Sequence, residues 1–141
     1  MCNNMAELEA YITEQLQDCL YNEIGDEIEH AIQRHIESDV YGAYSPHRYE
    51  RRGLLKSGRY FYRVPNGLSI TVYDQTPGKE PFGDGYTPTG TSLSEIINYG
   101  LQGEANGRHG RWKKAFPRPY IKNAQEEIDR LVPEIIRRRF R

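Results

Sequence analysis

The first forty residues carry an apolar side chain at almost every fourth position, which predicts one long helix from Met5 to about Val40. A strict repeat of four overshoots an α-helical turn by about 40° per step, so the apolar stripe should wind around the helix. Gly25 lies inside the pattern, where glycine costs about 1 kcal/mol relative to alanine. Either the helix breaks there, or it continues and its two ends meet different partners, with part of the stripe exposed until another subunit covers it. The repeat consists of Leu8, Ile12, Leu16, Leu20, Ile24, Ile28, Ile32 and Ile36.

A change of period marks a β-hairpin in the middle of the chain. Residues 59–64 are rich in aromatic and β-branched side chains, and Pro65-Asn66-Gly67 supplies a turn that contains Asn-Gly. The next six residues, 68–73, alternate apolar with polar at period two. The alternation predicts a strand whose Leu68, Ile70 and Val72 face the core.

Glycine and proline divide the rest of the central region. Residues 41–58 form an irregular linker, and residues 75–92 form a long loop with four glycines and three prolines, which is typical of a functional or mobile loop. Ser92 to Glu95 match a capping box and open a short helix from Leu93 to Tyr99. Residues 111–116 favour a strand at a sheet edge, because two lysines lie within them.

The last twenty residues show helical spacing again. Apolar positions at i, i+3 and i+4 predict a C-terminal helix over 120–141, with a kink or stop at Pro133 and a basic tail from Arg137 to Arg141. The predicted fold class is α+β: a long N-terminal helix, an antiparallel hairpin or meander sheet, and a short helix and a C-terminal helix packed on one face. The chain should form a single domain, 1–141, made of the helix 1–40, the β-meander 41–120, and the helix with its tail 120–141.

Composition excludes some classes of protein. With 37% apolar and 28% charged residues in 141, the chain is neither compositionally disordered nor membrane-spanning. No stretch approaches the roughly 20 apolar residues of a membrane span, and the N-terminus lacks the pattern of a signal peptide. We therefore expect no membrane partner. Cys2 and Cys19 form no metal-binding or redox spacing, and they are interpreted as reduced thiols of a cytosolic product.

Charge and tyrosine are distributed unusually. The net charge of −1 is the sum of two unlike parts: residues 1–40 hold ten acidic side chains and one basic one, and residues 41–141 hold ten acidic and eighteen basic ones. This asymmetry indicates partners or a head-to-tail neighbour. Eleven tyrosines against four phenylalanines favour half-buried surfaces and interfaces over a sealed core.

A search for catalytic or metal-binding patterns gives no candidate. His30 and His35 are five residues apart on the first helix, about 140° from each other, so a shared metal is not expected and solvated histidines are the default interpretation. His47 and His109 stand alone in loops, and neither Pro77-Gly78-Lys79 nor Gly83-Asp84-Gly85 has the order of a phosphate-binding loop. We expect no enzymatic activity, no cofactor and no metal.

Basic and aromatic residues alternate in the 48–63 stretch, which raises a second interpretation. A nucleic-acid-binding module could use such a stretch as a groove with stacking side chains. The opposing interpretation is a solvated hairpin face that meets acidic protein. A sequence pI of 6.4, well below the roughly 9 of a dedicated nucleic-acid domain, favours the opposing interpretation.

Four segments in order resemble a known family. They are Tyr44–Gly58, the hairpin ending in Leu68–Tyr73, Glu95–Gly100 and Phe116–Ile121. Their sequence, from Tyr-Ser-Pro through Asn-Tyr-Gly to Arg-Pro-Tyr-Ile, is similar to that of the tail-completion, or head-to-tail joining, minor tail proteins of tailed bacteriophages. The resemblance covers about residues 45–136, with the preceding helix agreeing in type. The loop 75–92 and the tail from Arg137 to Arg141 depart from the family pattern.

The resemblance implies a structural protein of the virion neck, assembled in the host cytoplasm. Such proteins form rings, here of six or twelve copies, between the portal or head-closure ring and the tail tube, and they have no catalytic activity. A head-closure or connector protein, a tail tube protein, other copies of the chain and DNA in the channel are the partners it implies. An acidic helix and a basic remainder would supply complementary ring faces. The partner-interface residues that we predict are Arg48, Arg51, Arg52, Tyr99, Arg118, Arg137, Arg138 and Arg139.

Overall fold

The structure is a computed structural model that describes residues 4–42, 55–76, 97–98 and 118–141. Several sequence predictions concern the segments between these ranges and lie outside the described residues. They are most of the linker 41–58, the loop 75–92 beyond residue 76, the short helix except Ile97 and Asn98, and the strand 111–116.

The N-terminal helix runs without a break from Met5 to Tyr41. It consists of α1 (Met5–Cys19), a π-helical stretch (Leu20–Ile24), α2 (Gly25–His35) and a second π-helical stretch (Ile36–Tyr41). It begins after Asn4, which has an extended backbone conformation. The side-chain oxygen of Asn4 accepts a hydrogen bond from the Glu7 N–H at 2.9 Å, as an N-cap residue does. Gly25 has helical dihedral angles, φ −57° and ψ −46°. Of the two alternatives for Gly25, the continuous helix is therefore correct.

The two π-helical stretches change the course of the apolar stripe. A π turn closes a hydrogen bond over five residues instead of four, as the Gly25 N–H does to the Leu20 carbonyl, and it therefore takes more residues per turn. A repeat of four overshoots an α turn but falls short of a π turn, so each π stretch rotates the stripe back. Ile24, Ile32, Ile36 and Val40 are accordingly all buried. The predicted winding around the helix is wrong for this half of the stripe.

The hairpin pairs β1 (Phe61–Asn66) with β2 (Ser69–Asp74) in antiparallel register, from Phe61 opposite Asp74 to Asn66 opposite Ser69. The central turn residues are Gly67 and Leu68, because Pro65 and Asn66 belong to the strand. Gly67 has φ +59° and Leu68 does not have a positive φ, which is the pattern of a type II′ turn with glycine in first position. Ile70 and Val72 face inward as predicted. Leu68 is 58% exposed at the turn, so its predicted core position is wrong.

The C-terminal helix, α3 (Tyr120–Arg139), packs antiparallel against the N-terminal helix. Asn123 contacts Asp39, Glu127 contacts His35, and Arg139 contacts Asp18. Pro133 lies inside α3 and is exposed, and the helix continues through it for another turn and a half. The stop that was the alternative to a kink at Pro133 does not occur.

Two buried clusters hold these elements together. The larger joins Ile32, Ile36 and Val40 to Tyr120, Ala124 and Ile128, with Phe61, Val72 and Ile97 packed against it. The smaller joins Cys19 and Ile24 to Ile135. The helices and the hairpin thus share a core, and the predicted α+β class is confirmed.

Candidate partner interface

Most acidic residues of the N-terminal helix are already paired within the chain. Lys56, Arg63 and Arg139 come from the hairpin region and from α3, and together with Arg34 and His35 they contact the carboxylates that follow Leu16. The charge asymmetry of the sequence is therefore largely balanced inside one protomer. The carboxylates contacted on the helix are those of Asp18, Glu23, Asp26, Glu27, Glu29, Glu37 and Asp39.

Arg63 clamps the hairpin to the N-terminal helix at Gly25. Its guanidinium donates to the Tyr21 carbonyl at 2.6 Å and to Asp26 and Glu29 at 2.5 Å each. The hydrogen bond to Glu29 is the main reason that the pKa of Arg63 is raised, with burial opposing it. A Cβ on Gly25 would come within 2.9 Å of the guanidinium, so the Arg63 side chain would have to shift from this position if residue 25 were not glycine. A glycine inside a strong helical pattern was the sequence signal for this contact.

His35 is half-buried between the two long helices, contrary to the expectation of a solvated histidine. Its Nδ1 lies 3.0 Å from Asp39 and its Nε2 lies 2.8 Å from Glu127. Burial alone would raise the pKa of Asp39 and Glu127. Hydrogen bonds outweigh it, from Asn123 to Asp39 and from Arg34 to Glu127, and the pKa of each carboxyl is lowered. His30 is exposed, as expected.

Arg139 closes the far end of the helix pair. It pairs with Glu23 and with Asp18, the latter at 2.8 Å, and reaches Gln15 at 3.3 Å. Beneath these contacts lies Cys19, which is 1% exposed, and burial raises the pKa of its thiol. This predicted interface residue is thus engaged inside the chain.

The other predicted interface residues differ in what the structure says about them. Arg48, Arg51, Arg52 and Tyr99 lie outside the described residues. Arg118 is half-buried just before α3, and Arg137 and Arg138 are exposed at its end. The assignment of these residues to a partner interface therefore stays a prediction.

The segments Glu95–Gly100 and Phe116–Ile121 of the phage-family resemblance meet at the start of α3, and Val72 of the hairpin segment packs in the same buried cluster as Tyr120. The Arg118 N–H donates to the Ile97 carbonyl at 2.8 Å, and the Ile121 N–H donates to Asn98 Oδ1 at 3.0 Å. The fully buried Tyr120 donates its hydroxyl to Asp74 at 2.7 Å, at the end of β2. Pro119 provides no side-chain cap, so the buried Asn98 caps α3 from a distant segment.

The first ten residues of α1 project beyond this body. Every residue from Asn4 to Glu14 is exposed, and the exposed large apolar side chains form what we call the α1 ridge: Met5, Leu8, Tyr11 and Ile12. Met5, Leu8 and Ile12 share the helix face of Leu16 and Cys19, since their spacing alternates between three and four. The exposed portion of the stripe that the continuous-helix alternative predicted is therefore this ridge.

The outer face of the hairpin is the second exposed apolar surface. Tyr60, Tyr62, Val64 and Tyr73 are exposed there, and the rings of Tyr62 and Tyr73 stack with centroids 5.1 Å apart. This face is aromatic, but two basic residues next to it already form ion pairs within the chain. Arg63 pairs with Asp26 and Glu29, and Lys56 pairs with Glu37. The pairing weakens the nucleic-acid interpretation for the described part of residues 48–63.

One apolar pocket lies between α2, β2 and α3. It is lined by Ile28, Val72, Ile121 and Ile128 among others, and its volume is about 110 Å³. Small-molecule sites measure about 300–1,000 Å³ and gather several polar groups. Among the described residues, the polar side chains that line the pocket are Thr71 and Gln125, and the Gln125 amide donates to Asp129. The pocket is a gap in packing.

Two further kinds of site are a metal centre and a membrane-spanning helix. Within residues 4–42, 55–76, 97–98 and 118–141, no three His, Cys, Asp or Glu side chains are arranged to hold a metal ion. Over the same ranges, no helix combines the length and apolarity needed to cross a membrane. The exposed surfaces described above in these ranges are the α1 ridge, the hairpin face and the arginines at the end of α3.

The described residues form an α+β fold with exposed apolar and aromatic surfaces, and the comparisons indicate a phage-derived protein. The chain belongs to the YomN family, which matches residues 4–138. It is 32% identical over 96 residues to the SPbeta prophage-derived uncharacterized protein YomN of Bacillus subtilis (strain 168). That alignment covers 68% of this chain and 60% of the relative. No solved structure matches the chain.

Proposed function

We propose that this protein is a structural component of a tailed-phage virion. It forms a ring of six or twelve copies in the neck and joins the portal or head-closure protein to the tail tube, without catalysis and without a cofactor. Membership in a family with a prophage-derived relative supports a phage origin. The neck role comes from the resemblance of the four ordered segments.

One observation carries the proposal beyond sequence resemblance. Segments that are short and weakly specific along the chain meet around Tyr120. Asn98 caps α3, Val72 of the hairpin segment packs in the same buried cluster, and Asp74, the residue after that segment, accepts the tyrosine hydroxyl. Motifs that act together in one structural unit are expected to be adjacent in space, whereas chance matches are not. The adjacency of the three segments therefore supports reading them as one family pattern.

The exposed surfaces support a role in assembly. The α1 ridge and the tyrosine-rich hairpin face leave large apolar side chains uncovered, as protein interfaces do before their partners bind. Tyrosine and arginine are the residue types enriched at such contacts. Rings close through heterologous interfaces, which need two unlike faces on each protomer, and this chain has them.

Deletion of the gene in the phage that encodes the protein tests the proposal. We expect DNA-filled heads and complete tails that stay separate in electron micrographs, and joining restored by the protein supplied in trans. Antibody against the protein should label the head–tail junction of intact virions. Intact infectious particles without the protein, or virions that the antibody does not label, would contradict the neck role.

A matched pair of variants makes the test residue-specific. Arg118→Glu reverses a charge at the Tyr120 junction, and Lys122→Glu does so one turn later on a side chain that is 75% exposed. We expect Arg118→Glu to fail in complementation and Lys122→Glu to succeed, with equal helix content by circular dichroism. Equal complementation by both would remove Arg118 from the predicted interface.

A further inference from the structure

His35 joins the two long helices through both of its ring nitrogens. Nδ1 lies 3.0 Å from Asp39 Oδ2, four residues further along the N-terminal helix, and Nε2 lies 2.8 Å from Glu127 Oε2 on α3. The three side chains are half-buried, between 23% and 26% exposed. Because the ring contacts a carboxyl group on each side, the number of protons on the ring decides how this part of the helix pair is held.

Both carboxyl groups beside the ring are ionised at neutral pH. Burial would raise the pKa of each, but hydrogen bonds outweigh it, chiefly from Asn123 to Asp39 and from Arg34 to Glu127, and both pKa values are lowered. An ionised carboxylate accepts hydrogen bonds and donates none. Each ring nitrogen of His35 therefore faces an oxygen that requires an N–H donor.

A neutral imidazole cannot satisfy this arrangement. It carries one N–H, and the lone pair on its other nitrogen would face a negatively charged oxygen. The imidazolium cation has two N–H groups and can donate to both carboxylates at once, in charge-assisted hydrogen bonds.

The charges around the ring also favour a cation. Asp39 and Glu127 contact the ring, and Arg34, which opposes a second positive charge next to it, is shared between Glu127 and Glu27. Three carboxylates thus surround one guanidinium in the described part of this site. A second ring proton on His35 brings the opposite charges closer to balance. The other ion pair of this helix end, between Glu37 and Lys56, is complete by itself.

We propose that His35 is a proton-dependent latch between the N-terminal helix and α3, in which the ring carries a proton on each nitrogen and donates to Asp39 and Glu127 together. At alkaline pH the latch releases the Nδ1 proton and keeps the one on Nε2. In the described residues, His35 is the donor to Glu127 Oε2, whereas Asp39 also has Asn123 and Ser38 as donors. The Nδ1 lone pair then faces Asp39 and weakens the turn that Asn123 of α3 contacts.

The direction of the effect on stability follows from the proton count. The unfolded chain releases its histidine protons near the ordinary value of about 6.5, whereas the latched ring keeps its second proton. The contribution of the latch is therefore complete below that pH and is lost at higher pH, where the folded protein also releases the proton. The latch is a property of the isolated protein and does not rest on the proposed neck function.

Nitrogen NMR of the histidine rings reads the proton count directly. At about pH 7, a ring with the ordinary value of about 6.5 is protonated in roughly a quarter of molecules. We expect the doubly protonated fraction of His35 to be about threefold higher than that of His30, the exposed histidine of the same helix. At alkaline pH, His35 should become the Nε2–H tautomer. Equal protonated fractions for the two rings, or an Nδ1–H tautomer, would overturn the proposal.

Variants of the two acceptors test the cause. Asp39→Asn and Glu127→Gln should each lower the doubly protonated fraction of His35 at neutral pH, because an amide group can donate to an unprotonated ring nitrogen. Glu126→Gln, which removes an exposed carboxylate beside Glu127 in the sequence, should leave that fraction unchanged. A fraction that neither acceptor variant lowers would show that the carboxylates do not hold the second proton.

Urea unfolding as a function of pH tests the link to stability. Between about pH 6.5 and 8, the free energy of unfolding of the wild type should fall with a slope approaching one proton per molecule. His35→Gln should flatten this slope, and His30→Gln, the matched control, should keep it. A slope that is the same in the wild type and in His35→Gln would contradict the latch.

Discussion

Arg63 and Gly25 depend on each other, although 34 residues separate the arginine from the nearest acidic partner on the helix, Glu29. The arginine lies across the helix backbone, with its Cζ 5.6 Å from the centre of the Tyr21 ring. Glycine leaves the room that the guanidinium fills. Sequence reasoning recognised Gly25 as an irregularity in the helix, but it could not supply the partner, because no local pattern links residue 25 to residue 63.

We predict that the effect of Gly25→Ala changes sign with the residue at position 63. In the wild type, the new Cβ displaces the guanidinium from its acceptors, and the protein is destabilised despite better helix propensity. In an Arg63→Ala background the clash is gone, and the same change stabilises by about 1 kcal/mol. Urea unfolding of the four proteins measures this coupling. Equal effects in both backgrounds would show that the clamp is not formed in solution.

The half-buried carboxyls beside His35 predict a dependence of stability on acid pH. The pKa values of Asp39 and Glu127 are lowered from 3.8 and 4.5, so the unfolded chain binds protons more readily than the folded protein. Their contribution is complete above the unfolded values and is lost as the pH falls through the folded values. Arg34 and the His35 ring face these carboxyls, and Asn123 and Ser38 donate hydrogen bonds to Asp39.

We therefore expect the free energy of unfolding to fall steeply below about pH 4.5, where these carboxyls begin to protonate in the unfolded chain. Asp39→Asn with Glu127→Gln should lower stability at neutral pH and flatten this fall. Glu126→Gln removes an exposed charge from the same helix and is the control. An unchanged slope in the double variant would contradict the assignment.

At the scale of elements, the N-terminal helix has two unlike halves with the same sequence repeat. Ile36 is fully buried against α3, whereas Ile12 is 44% exposed on the α1 ridge. The repeat of four buries its side chains in the second half, because that half contains the π-helical stretches and faces α3. We predict that Ile36→Ala costs about 2–5 kcal/mol and that Ile12→Ala costs less than about 0.5 kcal/mol. Urea unfolding of monomeric protein at low concentration measures both, and similar losses would contradict this division.

The helices and the hairpin could be predicted from the spacing of apolar residues, because burial on one face imposes a period of 3.6 residues on a helix and of two residues on a strand. The ends of α3 and the presence of an antiparallel hairpin follow from such local patterns. The predicted turn Pro65-Asn66-Gly67 is wrong by two residues, because Pro65 and Asn66 belong to β1. The π-helical stretches were not predictable, since backbone hydrogen bonds over five residues leave no fixed residue signature. Leu68 was misplaced because its apolar character extended the strand alternation into a turn that Gly67 had already begun.

At the scale of the molecule, the sequence shows the charge asymmetry but does not show which side chains the acidic residues contact. Sequence reasoning assigned it to contacts between subunits, whereas the carboxylates from Asp18 to Asp39 meet arginine, lysine and histidine of the same chain. Pairs such as Arg139 with Asp18, which are 121 residues apart, depend on the antiparallel packing of the two long helices.

Opening of this helix pair can be followed at Cys19. Its thiol is buried under the Arg139 ion pairs, and burial raises its pKa, so it should resist alkylation in the folded protein. We predict that Arg139→Ala increases the alkylation rate of Cys19, measured by mass spectrometry of its peptide. Arg137→Ala, an exposed neighbour, should leave that rate unchanged. Equal rates in both variants would mean that Arg139 does not hold the helix end closed.

The antiparallel packing of the two long helices has a consequence for synthesis on the ribosome. The N-terminal helix is complete at Tyr41, but its packing partner begins only at Tyr120. At about 5–20 residues per second, the ribosome needs roughly 4–16 s to make the intervening chain. During this interval the isoleucines of the helix have no α3 to cover them, and an isolated helix is marginally stable in water. The ten carboxylates of residues 1–40, where Arg34 is the one basic side chain, repel other nascent copies until Lys56, Arg63 and finally Arg139 have been made and can pair with them.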